Sequence, residues 1–144
     1  MRALLDVNLV IALLDADHVF HERAHRWWAA NARQGWASCP LTENGVVRVM
    51  SNSSYSAAAR FAPAQLISRL RGFADQTDHE FWPDGLSLRD ATVFDESRLH
   101  SSRLITDQYL LALAARHRGR LATFDQGIPL SAVQGATSAH LCVV

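Results

Sequence analysis

The 144-residue sequence has no lysine: all fourteen of its basic residues are arginine, and they balance fourteen carboxylates to a formal net charge of zero. Zero net charge removes any global attraction to a polyanion, so contact with nucleic acid would have to come from local clusters. The missing lysine means that no internal ammonium can neutralise a buried carboxylate. Arginine could, and it also offers planar, bidentate phosphate recognition. Cysteine is equally scarce. Cys39 and Cys142 stand alone among apolar neighbours, which reads as two buried free thiols rather than a disulfide or a zinc site. Apolar runs such as Leu9 to Leu14 are far too short for a bilayer. Asp6 and Asn8 interrupt any secretory h-region, so the expected location is cytoplasmic. There is no internal repeat and no separating linker, and one domain over 1–144 is expected.

What is present is an apolar content of 49%, enough for one core, arranged in alternating periods. Short strands are expected at Ala3–Leu5, Trp36–Ser38, His79–Trp82, Leu121–Phe124 and Leu141–Val144. Helices are expected near Asn8–Leu14 and His21–Arg33. A third is expected after Thr42 as N-cap, a fourth from Pro63, and a strongly periodic fifth after Thr106 as N-cap, ended by Gly119. Ser51 to Pro63 reads as a mobile loop, and Phe81 to Gly85 as a break. Alternating strands and helices imply an α/β fold with a mostly parallel sheet. In such sheets ligands bind beyond the carboxyl ends of the strands.

Four carboxylates occupy equivalent places by that rule. Asp6 follows the first strand and Glu43 the second. Asp107 stands in the first turn of the periodic helix, and Asp125 follows "LATF". Singly, each has a structural reading: Asp6 as an N-cap, Glu43 and Asp107 as acids favoured by a helix dipole, Asp125 as a turn former. Together they would repel by roughly 4 kcal/mol per close pair at an effective dielectric of 20, several times what a cap or dipole returns. A cation is required, and an all-oxygen donor set favours Mg²⁺ or Mn²⁺. His21 and His25 have metal-like i,i+4 spacing, but on a charged helix they read as a solvated face.

The segments "LLDVNLVIALLD", "LTENGVVRVMS", "ITDQYLLALA" and "LATFDQGI" resemble, in order, the four acidic motifs of PIN-domain ribonucleases. The closest likeness is to the VapC-type toxins of bacterial toxin–antitoxin pairs. The resemblance implies a PIN fold: a central parallel sheet, helices on both faces and an acidic pocket at its edge. It carries the family's metal-site acids onto Asp6, Glu43, Asp107 and Asp125, and its companion polar positions onto Asn8, Thr42, Thr106 and Thr123. It implies hydrolysis of RNA to a 5′-phosphate and a 3′-hydroxyl, a homodimer, and a VapB-type antitoxin able to place a basic residue in the pocket.

Substrate contact is expected from Arg116, Arg118 and Arg120 in "ARHRGR", the densest basic run, and from Arg48. Two other classes compete. A phosphoryl-accepting receiver or haloacid-dehalogenase-type phosphatase also places an Asp after its first strand, but both rely on a lysine that this chain lacks. A PIN fold acting only through protein contacts would keep four mutually repelling acids for no gain.

Overall fold

The computed structural model describes residues 1–144. Its centre is a sheet of five parallel strands: β1 (Ala3–Leu5), β2 (Trp36–Ser38), β3 (His79–Phe81), β4 (Arg120–Thr123) and β5 (Leu141–Val143), in the order β3-β2-β1-β4-β5. The helices are α1 (Val7–Leu14), α2 (His21–Asn31), α3 (Pro40–Met50), α4 (Pro63–Asp75) and α5 (Ile105–Arg116). β1 and β4 are the central pair, with Leu4 opposite Leu121 and Leu5 opposite Ala122.

β1, at the centre, is apolar and fully buried because both its faces are covered, whereas the edge strand β3 is half-exposed. Alternation along β1 sends Leu5 into a cluster with Trp36 of β2 and with Leu9, Val46, Met50 and Leu66 from α1, α3 and α4. Leu4 goes the other way, to Leu110, Leu113, Leu121 and Trp82 beneath α5. Period-2 patterning on three-residue strands therefore divides one core into two halves.

Several boundaries differ from the sequence reading, for local reasons. Thr42 is not an N-cap. Helix α3 begins at Pro40, whose fixed φ suits a first helical position, and Cys39 is the cap. Thr42 is buried three residues in, its hydroxyl accepting from the Cys39 N–H at 3.0 Å and donating to the Cys39 carbonyl. Thr106 is not a cap either: α5 starts at Ile105 behind Leu104, with no side-chain cap, and Thr106 is exposed. Helix α2 ends at Asn31 and tightens into a 3₁₀ turn over Ala32–Gln34. The segment expected to be a mobile loop is tied down, because the Tyr55 hydroxyl donates to Asp15 at 2.5 Å.

His21 and His25 have a structural task. His21 Nδ1 lies 2.7 Å from the Ala12 carbonyl and His25 Nε2 lies 3.0 Å from that of Leu13. Both rings satisfy carbonyls left open at the C-terminal end of α1.

Candidate active site

Helix α1 follows β1 with no intervening loop, and this junction builds the site. The Asp6 N–H donates to the Ala122 carbonyl at 3.0 Å, extending the β1–β4 ladder by one bond. Its side chain then caps α1, accepting from the Val7 N–H at 2.7 Å. Asp6 is thus pinned by its backbone to the sheet and by its carboxylate to the helix, and it is only 6% exposed.

The other acids come from the neighbouring strand and from α5. Carboxylate oxygens of Asp6, Asp107 and Asp125 all lie within 4.8 Å of one another. Thr123, wholly buried at the end of β4, is their hub. Its hydroxyl donates to Asp6 Oδ2 at 2.6 Å and accepts from the Asp125 N–H at 3.0 Å. Asn8, the second residue of α1, directs its Nδ2 toward Asp125 Oδ2 at 3.2 Å and Thr123 Oγ1 at 3.4 Å. These acids open into a cavity of about 360 Å³, also lined by Asn8, His18, Val49 and Tyr55.

The electrostatics express the crowding. Burial, then the Asp6 and Asp125 charges, push the Asp107 carboxyl up to about 6, with Arg103 pulling the other way. Burial foremost, with Asp125 adding, also raises Asp6 against the bonds from Thr123 and Val7. No ion pair reaches any of the three. The buried Asn8 Oδ1 beside them has no hydrogen-bond partner, although buried polar atoms are nearly always paired. Three carboxylates and an unpaired amide oxygen are the donor set of a hard divalent cation. The residues fit such an ion.

Glu43 does not join this cluster. Half-buried in the first turn of α3, it accepts from Ser38 Oγ at 2.6 Å, and Ser38 in turn lies 2.8 Å from His79 Nε2. These residues line a different cavity on the far side of α3. The expectation of four acids in contact is therefore corrected to three, because a serine at the end of β2 offers Glu43 a close donor. Thr42 and Thr106 do not reach the acids either: one is bonded to Cys39, the other is exposed.

The arginine run is also misplaced by the sequence reading. Asp107 is in the first turn of α5 and Arg116 in its last, about 14 Å along the axis. Arg120 opens β4, whereas Asp125 lies just beyond its end. Arg116, Arg118 and Arg120 therefore sit at the opposite edge of the sheet from the acids. Arg120 is bonded there to Asn31 Oδ1 at 2.7 Å. The cation that acts on Asp107 is Arg103. Tyr55, His18 and Val49 were not anticipated at the site; only the tertiary fold brings them there.

The PIN-domain family model matches residues 3–134. The chain belongs to the PIN-domain family. Among its PIN-domain relatives is Ribonuclease VapC44 of Mycobacterium tuberculosis, 51% identical over 144 residues, the full length of both chains. Ribonuclease VapC39 of the same organism is 42% identical over 135 residues, 94% of this chain and 96% of that one. Ribonuclease VapC29 is 40% identical over 131 residues, 89% of each. The five parallel strands with helices on both faces are the expected PIN architecture, and the acidic edge is where that family's site was anticipated. No helix is long and apolar enough to cross a membrane.

Proposed function

We propose that the whole chain acts as one domain, a VapC-type toxin that hydrolyses RNA phosphodiester bonds with Mg²⁺ or Mn²⁺. The observation that supports this best is the Asp6–Asp107–Asp125 cluster, three carboxylates within 4.8 Å with no protein cation among them. The match to chains named ribonucleases supports the substrate.

In this reading Asp6 and Asp107 hold the ion and Asp125 completes its shell. When bound, the ion would lower the pKa of a coordinated water and withdraw charge from the phosphate. Thr123 and Asn8 orient the ligating oxygens, work that typically changes metal affinity or activity about 10- to 100-fold. Glu43, on the helix that separates the two cavities, orients the attacking water once its carboxylate leaves Ser38. Arg48 and Arg103 offset the charge of the incoming backbone. Hydrolysis leaves a 5′-phosphate and a 3′-hydroxyl. The partners in this reading are a second copy of the chain and a VapB-type antitoxin that covers the acids with a basic side chain. The place of action is the cytoplasm.

The test is RNA cleavage by the purified chain with Mn²⁺ or Mg²⁺, beside Asp6→Asn and Asp107→Asn. Both variants should lose cleavage and also lose the rise in melting temperature that metal gives the wild type. Equal cleavage by all three, or no melting shift at millimolar metal, overturns the proposal in favour of a fold acting through protein contacts alone.

A further inference from the structure

A cavity larger than the acidic one lies on the other side of α3. A space of about 640 Å³ opens between α3 and α4 against the edge of the sheet, and it has two chemically different parts. Trp36, Val47, Ile67, Leu70 and Ala74 form an apolar wall. Asn44, Arg48, Arg71 and the linked Ser38–Glu43–His79 group supply the polar remainder. Trp36 is fixed there by its indole N–H, which donates to Thr77 Oγ1 at 2.8 Å, and by its packing against Phe73 and His79. Arg48 and Arg71 are exposed, and neither forms an ion pair.

An apolar wall beside two free guanidinium groups is complementary to one nucleotide, with its base on the wall and its phosphate at the arginines. The position relative to the acids is also informative. Helix α3 is the partition: Glu43 and Arg48 face this cavity, while Val49 lines the cavity of Asp6, Asp107 and Asp125. A single strand crossing α3 would lie in both.

We propose that the α3–α4 cavity binds one unstacked nucleotide of the substrate RNA close to the scissile bond, and so contributes to the choice of cleavage sequence. This rests on the ribonuclease reading above. Apolar contact with Val47, Ile67 and Leu70 holds the base, over a floor set by the buried Trp36. Arg48 and Arg71 hold an adjacent phosphate, and the Asn44 amide, able to donate and accept, meets a polar edge of the base.

The experiment uses the full chain without metal, titrated with each of the four nucleoside 5′-monophosphates and followed by amide NMR. Shifts should appear at α3, α4 and the start of β2 and β3 with at least one nucleotide. They should be lost in Arg71→Glu and in Ile67→Glu, an exposed position where a carboxylate repels phosphate without entering the core. In cleavage assays the same variants should raise KM about tenfold, the scale of one lost base or phosphate contact. They should alter the distribution of cut sites while keeping the metal-induced rise in melting temperature. No nucleotide shifts, or wild-type KM and cut sites in both variants, would overturn the proposal. So would variants that lose only the capture of a protein partner. Failure of the ribonuclease reading is separable: wild type would then show no cleavage and no metal-induced shift, whatever the nucleotides do.

Discussion

The hydroxyl of Thr123 is the smallest unit on which the acidic site depends. It is fully buried, it is the side-chain donor to Asp6, and it accepts from the Asp125 backbone and the Asn8 amide. Thr123→Val keeps the shape and removes the donor. We expect metal-dependent cleavage to fall about 10- to 100-fold and stability by about 1–3 kcal/mol, with Thr123→Ser restoring most of both; denaturant melts and metal titrations would show it. Asp107 carries the pH dependence. Its folded carboxyl titrates at about 6, above the ordinary 3.9 or so of an unfolded aspartate. A raised pKa stabilises the fold fully below the unfolded value, and the contribution is lost as pH rises through the folded one. The metal-free protein should therefore melt higher at pH 5 than at pH 7.5. Metal, which needs the ionised form, should act in the opposite sense, raising the melting temperature more at pH 7.5. Asp107→Asn should shrink both effects in the same scans, leaving the part that Asp6, also raised by burial, contributes.

At the level of elements, α1 is held at both ends by side chains the fold brings to it. Asp6 caps its start, and His21 and His25 from α2 accept the task of bonding its last carbonyls. The double variant His21→Phe/His25→Phe should cost about 1–3 kcal/mol by leaving those carbonyls unpaired. Calorimetric melts of the wild type and the double variant would show the loss. The i,i+4 spacing on a charged helix was visible in the sequence, but its use was not. The atoms served are nine and twelve residues away and meet the rings only after α2 folds back on α1.

Across the molecule, the site depends on how closely helices approach the sheet and one another. A Cβ at Gly45 would stand 2.5 Å from Cγ2 of Val7, the residue that donates its N–H to Asp6. Gly45→Ala should therefore force α1 and α3 apart, lowering stability by about 1–3 kcal/mol and weakening metal binding through displaced Asp6. Urea unfolding and a metal titration together test this, and wild-type values in both would show that Val7 can rotate aside without moving the acid. Gly119 has the same role at the opposite edge, where a Cβ would meet the Arg2 carbonyl at 2.7 Å.

Some of this was legible from residues in order along the chain. The five strands, the apolar face of each helix and the placing of Asp6, Asp107 and Asp125 after strands or at a helix start all follow from local periodicity. The parallel-sheet rule does the rest, since it depends only on where a strand ends. Local signals failed where a side chain had a choice of partners. Glu43 looked equivalent to the other acids until Ser38 lay beside it, and the arginines of "ARHRGR" looked close to the site until α5 and β4 placed them at the other end. Thr42 met the preference for an N-cap, yet Pro40 set the start of α3. The sequence by itself thus determined the class of fold and a set of four acids at equivalent junctions, because these are read from spacing along the backbone. The tertiary structure alone decided which oxygens meet, which cations stay away and what else lines the cavities, because those depend on distances between residues far apart in the chain.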